Sequence, residues 1–417
     1  MNKKNSFKMK KIVLYVLTAS LILCNYACKN EEIPKEVNPF EPIELTDKQV
    51  EKVDADNRFA FKMFKEISVL SNEPNTFFSP LSLNIALGML YNGTSGETRT
   101  EMAEVLGMAD FTETEINEYY QKMIQALLNI DPLTEIGIAN SIWYREGYPV
   151  KQPFIDINQK YFDALVKSLD FNKSDAADII NKWCADQTND RIKDIIKSPI
   201  PPNVIMYLIN ALYFKSNWQF QFDKEKTHEA NFTKSDNQQI TVNMMRQETV
   251  TLPFYTDQHL KCVEMPYGNQ AFSMVAILPA DDMNIEQLIE YLDIETWGNI
   301  LNNLYDKEIL LGLPRFKIEC EITLNEPVWN VGMQRIFSGG LANISDGDLF
   351  VSEIKQKTFV EVNEEGTEAA AVTVIEIGES ASIEPPSFVA NRPFLYLIKE
   401  KSTGVILFIG RMDEPKE

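Results

Sequence analysis

Apolar residues recur at helical spacing through the first half of the chain and at alternate positions through much of the second. Val50, Val53 and Phe59 to Phe64 mark a first helix. Phe77-Phe78 reads as a short strand. Ser79 then suits a helix cap, Pro80 the first helical position, and Leu83, Leu87 and Leu90 the buried stripe. Thr98 with Glu101 predicts a capping box, and Gly107 closes that helix. Further helices are predicted over Glu113–Leu128, Phe154–Leu165 and Ala176–Ile196, with a strand over Ile138–Tyr144. Val204 to Phe214 is almost wholly apolar and reads as a strand buried on both faces, interrupted by Asn210. From Asn231 short strands dominate: Ile240–Met245, Val250–Phe254, Leu260–Glu264, Ser273–Leu278 and Ile309–Ile318. One helix, Ile285–Leu304, interrupts them. Phe394–Ile398 and Val405–Ile409 form a closing hairpin. Helices first and sheet afterwards imply an α+β protein.

One stretch departs from this plan. Residues 361–380 begin as a strand and continue as an exposed loop, yet the loop keeps strand periodicity. Thr367, Ala369, Ala371, Thr373, Ile375 and Ile377 form one face, small and then apolar. Its first half carries no bulky side chain and meets little steric resistance between two existing strands. Gly366 sits at the pivot. The 14 residues Thr367–Ser380 span roughly 45 Å when extended.

Charge and composition narrow the function. The 417-residue chain carries a formal net charge of -21. Such acidity disfavours nucleic acid, heparin-like polyanions and anionic lipid. Only His228 and His259 are available for histidine chemistry, and the sequence shows no metal-ligand cluster. No cofactor or metal is expected. Five lysines before residue 12, an apolar run over Ile12–Leu23 and Ala27-Cys28 predict an export signal over residues 1–27. Cys28 is expected to be lipidated and to become the mature N-terminus. Asn25 departs from the aliphatic residue usual there, and a plain cleaved signal is the alternative. Removing residues 1–27 takes five lysines and no acid from -21, leaving -26. Residues 28–46, with Pro34, Pro39 and Pro42, read as an extended tether. A single domain follows over 47–417. Cys184, Cys262 and Cys320 read as buried free thiols, although export to an oxidising compartment permits one disulfide.

Six fragments, in order and spacing, carry a family resemblance. They are Asn75-Thr-Phe-Phe-Ser-Pro-Leu-Ser82, Asn181-Lys-Trp-Cys-Ala-Asp-Gln-Thr-Asn-Asp-Arg-Ile192, Asn210-Ala-Leu-Tyr-Phe-Lys-Ser-Asn-Trp218, Val263-Glu-Met-Pro-Tyr267, Glu364-Glu-Gly-Thr-Glu-Ala-Ala-Ala371 and Phe388-Val-Ala-Asn-Arg-Pro-Phe-Leu-Tyr-Leu-Ile398. From Asp47 to its end the chain resembles the serpin family. The resemblance implies about nine helices around three sheets, with a reactive loop over about 364–386 that inserts into the main sheet. It implies a single-use inhibitor, not an enzyme, acting on serine endopeptidases, with cysteine endopeptidases as further targets, through a covalent acyl complex.

Residue by residue, the resemblance makes Glu364, Glu365, Gly366, Thr367, Glu368, Ala369, Ala370 and Ala371 the hinge. Counting from Glu364 places the reactive bond at Ser380-Ala381. Counting back from Asn391 favours Ser382, and Ile377 and Glu379 are further alternatives. No Lys or Arg lies between Glu368 and Pro386, so elastase-like or subtilisin-like proteases fit better than trypsin-like ones. Arg315 matches the partner of Glu364, and Trp218 the residue packed where insertion begins. Ser79, Ser82 and Asn210 match a polar cluster under the main sheet, with Gln356 where a histidine is usual. Glu113–Asp131, the counterpart of a heparin-binding region, is acidic, so no heparin cofactor is expected. The reading is a monomeric inhibitor on the outer membrane or cell surface, held by its N-terminal lipid, or else secreted. A non-inhibitory carrier or chaperone, or a substrate-like member, is the alternative; small hinge residues argue against it.

Overall fold

The computed structural model describes residues 40–367 and 385–417. Nine α-helices occur among the described residues. Helix α1 (Asp47–Leu70) starts at a capping box in which Thr46 and Gln49 exchange hydrogen bonds. Ahead of it, Phe40, Ile43 and Leu45 pack against the core. Strand β1 (Thr76–Phe78) leads into α2 (Pro80–Tyr91), capped by Ser79 and buried along nearly its whole length. Next comes α3 (Gly96–Val105). The expected Thr98–Glu101 capping box is not formed. The helix starts three residues earlier, with Ser95 at the N-cap position, so Thr98 lies inside it and its hydroxyl donates to the Gly339 carbonyl at 3.3 Å. Glu101 instead accepts from the backbone N–H groups of Gln334 and Arg335.

After α4 (Glu113–Asn129) and β2 (Glu135–Arg145) comes α5 (Gln152–Phe162). It ends earlier than expected because Asp163 is left-handed, with φ of 50°. Leu165 then opens β3 (Leu165–Leu169). Helix α6 (Ala176–Gln187) is also shorter than expected, since Asn189, Asp190 and Asp194 take positive φ beyond it. Strand β4 (Met206–Asn217) follows. Strand β5 (His228–Thr233) precedes β6 (Gln239–Thr256), which joins two expected strands across an irregularity between Gln247 and Val250. β7 (Leu260–Pro266) and β8 (Phe272–Pro279) lie where expected. The expected helix over 285–304 is two, α7 (Ile285–Tyr291) and α8 (Ile294–Asn303), because the Asp293 carboxylate caps a new start at Thr296 N. The expected strand over 309–318 likewise divides at Arg315 into β9 (Tyr305–Pro314) and β10 (Phe316–Thr323). A short α9 (Asn325–Asn330), β11 (Lys355–Val362), β12 (Gly366–Thr367), β13 (Ser387–Val389), β14 (Phe394–Glu400) and β15 (Ile406–Met412) complete the described chain.

One sheet has the order β10-β11-β12-β4-β2-β3. The other runs β1-β15-β14-β8-β7-β6-β9-β13, with β5 paired to β6. In this second set β6, 18 residues long, makes two of the three implied sheets continuous. A single large core spans helices and sheets, and a smaller one gathers Trp143, Phe171, Ile180 and Cys184 beside β2 and α6. Burial closes the thiols: Cys184 is pushed up to about 12 and Cys320 to about 11. All three described cysteines are free.

Candidate functional site

Two strands of the six-stranded sheet frame the site. β4 and β11 run in the same direction, and both are antiparallel to β12 between them. Thr367 pairs with Val362 on one side and Ser216 on the other, and Gly366 pairs with Asn217. Among the described residues, β4 and β11 are joined through these two residues alone. Farther along, a cavity of about 50 Å³ separates Leu208–Ala211 of β4 from Lys355-Gln356-Lys357 of β11. This explains a departure from the sequence expectation. β4 is not buried on both faces throughout: Ala211 to Phe214 are buried, whereas Met206 to Leu208 and Asn210 are only partly covered. The partly covered residues lie where, among the described residues, no strand pairs with this edge of β4.

The entry to this slot is held by side chains on both hinge glutamates. Asn363 turns the chain: its amide oxygen accepts from the N–H groups of Glu365 and Gly366 at 3.0 and 3.2 Å. Gly366 admits no side chain, because a Cβ there would lie 2.1 Å from the Ser216 carbonyl oxygen. Glu364 is 2% exposed and takes both Arg315 Nε, at 2.7 and 2.9 Å, and Arg315 Nη2, at 2.5 Å. Thr227 donates to the same carboxylate at 2.5 Å. Glu365 accepts from Lys224 at 2.5 Å. The two glutamate carbonyls accept from Phe222 N and Trp218 N at 2.9 and 2.8 Å. Trp218 donates its indole N–H to the Asn363 carbonyl at 2.9 Å and stacks on Tyr267, with centroids 4.4 Å apart. The Tyr267 and Thr367 hydroxyls meet at 2.7 Å.

Burial alone pushes the Glu364 carboxyl up, but the Arg315 and Thr227 hydrogen bonds outweigh it and hold it below the usual carboxylate range. Arg315 is raised in turn, chiefly by its hydrogen bonds to Glu364. A lowered folded value means that Glu364 stabilises the fold fully above its unfolded value of about 4.3, and loses that contribution as the pH falls through the lower folded value. The melting temperature is therefore expected to fall more steeply below about pH 4.3 in the parent chain than in Glu364→Gln, as scanning calorimetry across pH would show.

The second cluster lies beneath the middle of the slot. Gln356 accepts from Ser79 N at 2.8 Å and donates to the Ser79 carbonyl at 2.9 Å. The Ser79 hydroxyl donates to the Leu407 carbonyl at 2.7 Å and receives Ser82 N at 3.1 Å. Ser82 reaches the Asn210 carbonyl at 3.4 Å, and the Asn210 amide donates to Asn140 at 2.6 Å. The Asn210 Oδ1 atom is buried without a partner. The network thus works with glutamine and contains no group that titrates near neutrality.

Ser79, Ser82, Asn210 and Gln356 therefore come together, as do Trp218, Arg315 and the hinge residues from Glu364 to Thr367. Glu368, Ala369, Ala370, Ala371, Ile377, Glu379, Ser380, Ala381, Ser382 and Cys28 lie outside the described residues. Sequence reasoning missed Tyr267, Thr227, Lys224 and Asn363. Tyr267 ends one matched fragment, which was its available signal; Thr227 and Lys224 lie in a charged turn without periodicity. Chemically, the site presents a two-residue strand between β4 and β11 with a small cavity farther along and, among the described residues, neither a nucleophile–base pair nor a metal-binding cluster.

Comparison with known proteins agrees with this geometry. A family model described as Serpin (serine protease inhibitor) matches residues 54–415. Iripin-3 of Ixodes ricinus is 35% identical over 348 residues, covering 81% of this chain and 88% of that protein. An uncharacterized serpin-like protein of Methanosarcina acetivorans is 31% identical, covering 98% of this chain and 99% of its own. Among solved structures, the thermophilic serpin tengpin in its native state superposes with a TM-score of 0.81 at 30% identity, covering 90% of this chain and 97% of tengpin. The chain belongs to the serpin family, whose members are mostly protease inhibitors rather than enzymes.

Proposed function

We propose that the protein is a single-use inhibitor of serine endopeptidases, and of cysteine endopeptidases by the same route, with elastase-like or subtilisin-like enzymes as targets. The observation that carries this reading is β12, a two-residue strand seated between β4 and β11, which no other strand joins among the described residues and which flank a cavity of about 50 Å³ farther along. The protease nucleophile attacks the Ser380 carbonyl. The Ser380-Ala381 bond breaks, the Ala381 amine leaves with a proton, and Ser380 stays esterified to the protease. Water would complete hydrolysis. Insertion of the freed loop outruns it and distorts the enzyme first.

The register of β12 supports a smooth insertion. Continued after cleavage, it sets Ala369 opposite Phe214 and Val360, Ala371 opposite Leu212 and Thr358, and Thr373 opposite Asn210 and Gln356. Small residues thus meet large ones, and the threonine hydroxyl arrives beside the unpartnered Asn210 Oδ1. The active state persists because a barrier holds the loop out.

Residues 1–27 are proposed to direct export, with Cys28 lipidated at the envelope surface and the protein acting as a monomer. The test mixes the protein with elastase-, subtilisin-, Glu-specific and papain-like proteases. A complex surviving SDS is expected, with a released C-terminal peptide beginning at Ala381. Cleavage by every protease with no complex would replace this reading by a substrate-like or non-inhibitory one.

A further inference from the structure

One edge of the six-stranded sheet lies apart from β12, and what it offers does not depend on the inhibitory reading. Strand β10 pairs with β11 over its whole length, Phe316 to Thr323. It heads the sheet order, so among the described residues no strand pairs with its other edge. Two hydrogen bonds fix which backbone groups face that edge. Leu324 N donates to the Ile354 carbonyl, on the β11 side, at 2.8 Å, whereas Lys317 N donates outwards to the Lys416 carbonyl at 2.6 Å. Every second residue from Lys317 therefore turns its N–H and C=O to the open edge: Glu319, Glu321 and Thr323. Among the described residues these groups have no partner, and Lys416 shows that the edge accepts main chain.

A groove of about 810 Å³ follows this edge from Lys317 to Thr323. Ile67 and Leu70 of α1 line its other side with Pro74, and Pro327 of α9 lines it too. Cover on the inner face of β10 thins along the strand. Ile318 is buried, Cys320 and Ile322 are only half-buried, and Leu70 across the groove is 37% exposed. An added strand would lay alternate apolar side chains on this floor. The span from Lys317 to Thr323 is about 20 Å, the length of a strand of about six residues. The rim is acidic. Glu73 and Glu326 are exposed and form no ion pair among the described residues, while Glu319 and Glu321 share theirs with Lys357 and Lys355 of β11. Lys317 and Lys416, joined by their backbone bond, stand together at one end.

We propose that this edge is a docking site for an extended segment of a partner protein, added as a strand to β10, with apolar residues at alternate positions and Lys or Arg between them. Charge selects that occupant. Residues 368–384 of a second copy hold four glutamates and no Lys or Arg. Two β10 edges facing each other would set Glu319 and Glu321 of one copy against the same residues of the other. Residues 28–39 carry Pro34 and Pro39, and three glutamates against two lysines. Because β11 lies between β10 and β12, a docked strand leaves β12 in place.

The test titrates a fluorescent hexapeptide of alternating valine and lysine, blocked at both ends, with the full chain and reads anisotropy. Saturable binding is expected. Glu321→Pro removes one outward N–H without costing a ladder hydrogen bond, and should weaken binding about fivefold or more. The same peptide N-methylated at every residue keeps its charge and should bind the parent chain about tenfold or more weakly. Amide exchange of residues 317–323 should slow when the peptide saturates. Should Glu321→Pro fail to fold, the methylated peptide and the exchange measurement decide the matter on the parent chain. Equal binding of the methylated peptide, equal binding by folded Glu321→Pro, or unchanged exchange over 317–323 would reduce the contact to charge attraction and overturn strand addition. Absence of binding overturns the site. Self-association of the parent chain that Glu321→Pro abolishes would give the edge to a second copy and overturn the stated partner.

Discussion

Replacing Thr367 with arginine is expected to turn the inhibitor into a substrate, raising the number of inhibitor molecules consumed per protease trapped from near one to on the order of a hundred. Thr367 is the first strand residue beyond the pivot, 2% exposed, and its hydroxyl meets that of Tyr267. It shares the inner face of the sheet with Val362 and Ser216, both buried. An arginine there would bury a guanidinium with no carboxylate in place to receive it, at a cost of several kcal/mol. Two outcomes compete after acylation, insertion and hydrolysis, and each 1.4 kcal/mol added to the insertion barrier shifts their ratio about tenfold. Titration of a protease with the variant measures the ratio, and gel analysis should show cleaved chain in place of complex. Tyr267→Phe removes a single hydrogen bond, about 1 kcal/mol, and should raise the ratio only severalfold.

The Glu364→Lys substitution is expected to destabilise the intact fold by about 3–5 kcal/mol, the scale for breaking a buried ion pair by removing one partner. Two cations would then face each other within hydrogen-bonding distance, since Arg315 Nη2 lies 2.5 Å from the present carboxylate. Thr227 would lose its acceptor as well. The hinge turn would lose an anchor at the head of the slot, leaving edges of β4 and β11 open to strands of other molecules. Denaturant unfolding should show a lowered midpoint, and light scattering should show oligomers on incubation. Restoring opposite charges with Arg315→Glu in the same chain should recover more than half of the loss, the coupling expected of residues in direct contact.

Much of this site was legible in the sequence, and the reasons are physical. The hinge showed itself because small residues at alternate positions are unusual in an exposed loop. Trp218, Ser79, Ser82 and Asn210 lie in matched fragments, Arg315 and Gln356 came from the wider resemblance, and the structure brings Arg315 to Glu364 and Gln356 to Ser79. The failures cluster where a single polar side chain overrides periodicity. Asp293 caps a new helix inside a continuous apolar pattern, and left-handed Asp163 and Asn189 stop helices that the pattern would extend. Apolar spacing carries no information about such local capping. Thr227 and Lys224 were invisible for another reason: their partners, Glu364 and Glu365, lie 137 and 141 residues away in the chain. The partial exposure of β4 also could not be read from its composition, because it depends on which strand lies along its edge, and among the described residues only Gly366 and Thr367 pair there.

The central claim is that the slot between β4 and β11 takes in the cleaved loop. Insertion of about ten residues between two strands adds on the order of 20 backbone hydrogen bonds at ~1 kcal/mol each, before the cost of ordering the loop. Comparing the melting temperature of intact protein with that of protein nicked in the loop reads this directly. A rise of roughly 20 °C or more on cleavage is the predicted result. An unchanged or lower melting temperature in the nicked protein would contradict it.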